Sequence, residues 1–194
     1  LYDRRKYINF KTQEAAEQMF FRPMEEAGIT LDIIPGNHDV YYKDTNRVNS
    51  INILARKFSN VNVFDEAPVV VDYDGVKVGL MPWICRENYH QSLEFINNTQ
   101  ADILAGHFEI IGFEFMPGIK NHEGMKSDMF ERFDQVWSGH FHHKSTRGNI
   151  QYFGAQYEMS WSDSDHDKGF HVFDSETQEV TFVKNTNSIY TKIY

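Results

Sequence analysis

Three short segments share one grammar: an apolar run, a glycine, then side chains able to hold a metal ion. They are Ile33-Ile34-Pro35-Gly36-Asn37-His38-Asp39, Ile103-Leu104-Ala105-Gly106-His107 and Val136-Trp137-Ser138-Gly139-His140-Phe141-His142. Neutral imidazole and amide oxygen suit manganese, iron or zinc. Glycine lets the backbone turn sharply and approach an ion or a phosphate. On an extended loop, His140 and His142 send both rings toward neighbouring ions while Phe141 points away. Taken singly, each segment has an ordinary explanation: a surface histidine cluster, a satisfied histidine at His107, a turn residue at Asn37. Three such segments in one chain tip the reading to Asn37, His107, His140 and His142 as metal ligands. His38, next to Asn37, points elsewhere and reads as proton donor or stabiliser of a phosphate oxygen. Asp39 either orients His38 or caps the following turn.

Each segment must sit on a loop just past the carboxyl end of a strand, where open α/β sheets bind ligands. The surrounding pattern supplies such strands. Thr12 to Ala27 reads as a helix stopped by Gly28, with Pro23 bending or tightening its last turns. Leu31 to Pro35 reads as a buried strand, Arg47 to Phe58 as a second helix and Val61 to Phe64 as a strand. Asp74-Gly75 between two apolar runs, Pro68 to Tyr73 and Val76 to Met81, is a hairpin signal. Ser92 to Asn97 and Met125 to Phe133 read as short helices. Asp102 to Ala105, Gln135 to Ser138, Ile150 to Phe153, Gly169 to Asp174 and Glu179 to Lys184 read as strands. The expected class is α/β (α+β), with a mixed sheet or two packed sheets flanked by helices.

The 194 residues suit one domain, and 41% apolar residues with 15% aromatic rule out a disordered or fibrous chain. No apolar run approaches the roughly 20 residues of a membrane helix, so no membrane role is expected. Cys85 is the single cysteine, which points to a reducing, cytoplasmic compartment, and it reads as a small buried hydrophobe. The net charge of −9 argues against gripping nucleic acid by bulk electrostatics. It leaves room for a nuclease, because divalent cations place positive charge where phosphate sits. His90, His122, His143, His166 and His171 follow no strand-then-glycine pattern and read as solvated or structural. The run Asp163, Asp165, Asp167 lacks the glycine and distal glutamate of a calcium loop and reads as solvated.

Gly36-Asn37-His38-Asp39, then Gly106-His107, then Gly139-His140-Phe141-His142 resembles the ordered signature of calcineurin-like metallophosphoesterases. Leu1-Tyr2-Asp3-Arg4-Arg5 looks like the tail of a Gly-Asp-Leu-Phe-Asp segment in DNA-repair nucleases of the SbcD/Mre type. Pro82-Trp83-Ile84-Cys85 and the phrase around His140 resemble the phage branch of that group. The resemblance covers essentially all 194 residues. It implies the four-layer fold of two packed β-sheets with flanking helices, and two manganese ions, with magnesium, iron or zinc as substitutes. It implies that Asn37, His107 and His140 bind one metal, that His142 binds the other, and that His38 assists phosphate binding and leaving-group protonation. It further implies DNA as substrate, an SbcC-type coiled-coil ABC ATPase as partner, a homodimer, and the bacterial host cytoplasm as location. Arg4 and Arg5, with Lys6 and Lys43, are candidate DNA contacts.

The family's Asp-x-His and its Gly-Asp motif do not occur in this sequence, which opens at Leu1 without methionine. The expectation is therefore a nuclease domain over residues 1–194, truncated at its N-terminus by a strand and a helix. It would also lack the C-terminal DNA-capping and ATPase-binding segments, and be inactive alone. The metal motifs by themselves do not exclude another phosphate ester as substrate, and the missing motifs also admit a scaffold with an incomplete site.

Overall fold

A computed structural model describes residues 6–116, 118–164 and 166–190. These divide into two compact units: residues up to 69 with 80–98, and residues 70–79 with those from 99 onward.

The first unit starts with one continuous helical rod. α1 (Phe10–Ala16) is capped by Asn9, whose side chain accepts from the Lys11 amide, so the cap falls three residues before Thr12. A π-helical turn over Glu17–Phe21 leads into α2 (Arg22–Glu26). Pro23 has no N–H to give the preceding turn, and that turn widens rather than tightens. Gly28, at φ 69°, ends the rod in the left-handed region.

β1 (Leu31–Ile33) pairs in parallel with β2 (Val61–Val63), with α3 (Ser50–Ala55) between them in sequence. Phe21, Ile51, Ala55, Phe58 and Val61 form the buried cluster that joins these elements. Phe21 and Phe58 stack at 4.9 Å. α3 starts later than the periodicity predicts because Asn49 caps it, accepting from the Asn52 amide at 2.7 Å. Asn49 also donates to the buried Asp65 at 2.8 Å, tying the start of α3 to the loop after β2.

The second unit is built on a six-stranded mixed sheet. β3 (Val69–Tyr73) and β4 (Val76–Leu80) form the expected hairpin, with Asp74 and Gly75 at φ 53° and 91°. α4 (Tyr89–Asn98), assigned to the first unit, precedes β5 (Ile103–Gly106). β6 (Glu114–Met116) and β7 (Ile119–Lys120) make a small antiparallel hairpin. A 3-10 turn over Ser127–Phe130 stands where a short helix was expected, and β8 (Gln135–Ser138) follows. β9 (Ser145–Arg147) runs antiparallel to β10 (Ile150–Tyr152), which runs parallel to β8. The sheet order is β3-β4-β5-β8-β10-β9.

β11 (Gly169–Phe173) and β12 (Val180–Lys184) form a separate antiparallel pair. His171 and Phe173 from β11 lie against Phe153 and Trp137 beside the main sheet, at 4.1 and 4.8 Å between rings. His171 is thus a packing residue, the structural one of the two roles its sequence context leaves open. Cys85 is buried, as a small hydrophobe should be. The class is mixed α/β, with one six-stranded and three two-stranded sheets among the described residues. Among those residues no helix is long and apolar enough to cross a membrane.

Candidate metal centre

Strand pairing brings two of the predicted ligands together. β5 and β8 are parallel neighbours with Gly106 opposite Ser138. Their carboxyl ends therefore coincide, and His107 leaves one strand beside Gly139-His140 leaving the other. His107 Nε2 lies 3.2 Å from His140 Nδ1, with the ring planes near perpendicular. Two metal–nitrogen bonds of about 2.1 Å, at angles from square to tetrahedral, leave their nitrogens about 3.0–3.4 Å apart. The pair therefore fits two ligands of one cation, and equally a single N–H···N hydrogen bond.

The backbone around the pair is held tightly. Gly139 donates to the Gly106 carbonyl at 3.1 Å. Ser138 Oγ accepts from the Phe108 amide at 3.0 Å. Tyr152, buried on β10, accepts from the Ile110 amide at 3.1 Å and donates to the Phe108 carbonyl at 3.0 Å. Burial pushes the Tyr152 phenol well above its usual pKa, so it stays a donor. A Cβ on Gly139 would stand 2.9 Å from His107 Nδ1, which explains a glycine here without appeal to unusual dihedrals. His140 has φ 79°, a conformation that a non-glycine residue holds only when its surroundings impose it.

Phe141 turns inward and stacks on Tyr152 at 4.6 Å. His142 therefore faces outward, half exposed, with Nδ1 4.0 Å from Asp163. His140, His142, Glu109, Asn121 and Asp163 line one cavity of about 400 Å³. Asp163 corrects the sequence reading: it is 1% exposed, not solvated. Burial drives its pKa up, but Lys168 and the Ser160 donors outweigh this and hold it below the carboxylate norm. His143 takes the structural one of its two expected roles. It is partly buried against His166, 4.1 Å between rings, and burial followed by the charge of His166 lowers its pKa. Among the described residues, no three His, Cys, Asp or Glu side chains come together closely enough to hold a metal.

The Asn37 segment belongs to the first unit, on the loop after β1. Asp39 is buried and accepts from the Gly36 amide at 2.9 Å, closing the turn that displays Asn37 and His38. Asn37 is half-buried and His38 exposed. Trp83 donates to the Pro35 carbonyl at 2.9 Å, which ties Pro82-Trp83-Ile84-Cys85 to this loop. Lys6 lies 5.3 Å over the Tyr41 ring. Arg4 and Arg5 lie outside the described residues. Sequence reasoning missed Glu109, Asn121 and Asp163 as cavity residues, because none follows a strand-glycine signal.

The fold and this pair together describe a mixed α/β protein with imidazoles gathered at the carboxyl edge of parallel strands. The chain is homologous to Exonuclease subunit 1 of Enterobacteria phage T4, at 38% identity over all 194 residues and 56% of that protein. Two more distant relatives are each named as the D subunit of the nuclease SbcCD. The one from Staphylococcus epidermidis is 31% identical over 115 residues, covering 50% of this chain and 31% of that one. The one from Staphylococcus saprophyticus subsp. saprophyticus is 28% identical over 100 residues, covering 45% and 25%. The chain thus spans about half the length of the phage relative, and less of the other two. No family model matches. One solved structure superposes over 91% of this chain and 76% of its own at 15% identity and a TM-score of 0.49.

Proposed function

We propose that this chain is the metallophosphoesterase part of a manganese-dependent DNA nuclease of recombination and double-strand-break repair. In this reading it works as a homodimer with an SbcC-type coiled-coil ATPase. The observation that carries the chemistry is the 3.2 Å approach of His107 Nε2 and His140 Nδ1. The 38% identity to the phage exonuclease subunit supports DNA as the substrate class.

Bound ions would supply a metal-activated water and charge stabilisation for phosphodiester hydrolysis. The chain's own residues do the rest. In the second unit His107, His140 and His142 would offer imidazole nitrogen to a metal; Asn37, in the first unit, is proposed on the resemblance alone as an amide-oxygen ligand. His38, exposed on its loop, binds a phosphate oxygen and protonates the leaving group. Asp39 fixes the turn that carries His38 through its bond to Gly36.

Native mass spectrometry of the natural protein with and without Mn²⁺, paired with cleavage assays, tests this reading. Two bound ions and manganese-dependent cleavage of linear double-stranded DNA, with no hydrolysis of phosphoserine or nucleotide monoesters, are expected. Monoester hydrolysis without DNA cleavage would replace DNA as the substrate. No bound ion would leave the fold as a scaffold.

A further inference from the structure

Lys168 and Asp163 form an ion pair that is almost wholly buried, 4% and 1% exposed, with 2.8 Å between Lys168 Nζ and Asp163 Oδ1. Burying two such charges is costly, and well-packed apolar residues would serve stability as well or better. The pair is also turned to a particular target. Lys168 Nζ donates to the His142 carbonyl at 2.7 Å. That carbonyl also accepts from the Ala155 amide at 3.2 Å. Asp163 in turn is locked by the 3-10 turn over Trp161–Asp163: its Oδ2 accepts from the Ser160 amide at 2.9 Å, the Ser160 hydroxyl at 3.1 Å and the Met159 amide at 3.1 Å. A rigid chain of bonds thus runs from a capped turn, through a buried carboxylate and ammonium, to the backbone of His142.

We propose that Lys168, clamped by Asp163, is a positioning residue that fixes the His142 backbone and so aims its imidazole into the cavity it shares with His140. The inference rests on the reading of His142 as a metal ligand. His142 needs such a clamp because its side chain is half exposed, so the backbone that carries it sets its direction. The carboxylate that holds Lys168 is the one 4.0 Å from His142 Nδ1, so its negative charge also favours a cation held by that ring.

The test uses the natural protein and Mn²⁺ alone, titrated by the loss of the free-ion spin-resonance signal, with thermal unfolding measured separately in EDTA. The informative variant is the charge-neutral double substitution Asp163→Asn with Lys168→Met. It removes both charges together, so no lone charge is left buried. The expected result is unfolding close to the parent's but about tenfold or more weaker Mn²⁺ binding. The charge-matched double substitution Asp163→Asn with Lys168→Gln, which keeps a donor for the His142 carbonyl, should bind more tightly than the Met-bearing double variant, and equal binding in the two overturns the positioning role. A double variant that binds Mn²⁺ as the parent does, while His142→Ala weakens binding, overturns the positioning role and leaves the ligand reading intact. Unchanged binding in His142→Ala overturns the ligand reading itself, and this inference with it. Should the double variant fail to fold, the parent protein decides. Its Lys168 ammonium nitrogen should show a through-hydrogen-bond coupling to the His142 carbonyl carbon, and that signal should shift on titration with Zn²⁺. Absence of either effect overturns the proposal.

Discussion

The histidine pair sets the tightest requirements. If His107 and His140 share a cation, removing either leaves one nitrogen where two converged at 3.2 Å. His140→Ala should raise the Mn²⁺ dissociation constant by about 100-fold or more, since even outer partners of metal ligands contribute 10–100-fold. Calorimetric titration checks it, and retention of tight binding would remove His140 from the ligand set. His38→Ala should behave in the opposite way. His38 sits exposed on a separate loop, so metal binding should persist while cleavage falls by about 10²–10⁴-fold, the usual contribution of a proton donor. Loss of both ions in that variant would make His38 a ligand instead. Gly139→Ala is a more local probe. Its new Cβ would press within 2.9 Å of His107 Nδ1. The ring must rotate away, so Mn²⁺ affinity should drop about tenfold with little change in unfolding temperature. A variant that instead unfolds early would mean the glycine serves the backbone rather than the ring.

At the scale of elements, the site follows from one register. Gly106 opposite Ser138 in parallel strands delivers His107 and His140 to the same edge. Tyr152, from the next parallel strand, props the loop after β5 from beneath. Tyr152→Phe leaves the buried Ile110 amide without its acceptor, and should cost about 1–3 kcal/mol in denaturant unfolding. A near-zero change would mean water replaces the phenol. These strands were legible because each is a short apolar run that ends in glycine, and β8 falls on the residues its pattern marks. The hairpin around Asp74-Gly75 was legible because that dipeptide strongly favours the primed turn, with both residues at positive φ, that it adopts here. β6, β7 and β9 were not legible: they are two or three residues long, and exposed or partly exposed, so no alternation marks them. The helix start at Asn9 was misplaced because Thr12 carries an equally good capping side chain. Asp163 was misread because its burial depends on Lys168, and an acidic run gives no sign of a buried cation. The three strand-glycine segments were visible as candidate ligand sources, but the pairing of two of them required the sheet.

For the whole molecule, the governing fact is a net charge of −9. A polyanion such as DNA gains nothing from that field, so the DNA binding proposed above would have to come from bound cations and from local clusters of basic side chains. One such cluster is present in the second unit. Lys120, Lys144, Arg147, His143 and His166 line a cavity of about 420 Å³, with Glu114 the one carboxylate on its wall among the described residues. Lys144 is already engaged over the Phe182 ring at 3.2 Å, which leaves Lys120 and Arg147 as the better phosphate contacts. Each phosphate neutralised releases condensed counterions, so the slope of log affinity against log salt counts these contacts. Arg147→Ala should lower DNA affinity at low salt and flatten that slope by about 1, with Mn²⁺ binding unchanged. Anisotropy titrations with labelled duplex over a series of salt concentrations measure both quantities. An unchanged slope would take Arg147 off the DNA path, and the burden of holding the duplex would then fall on the metals and on basic residues elsewhere in the chain.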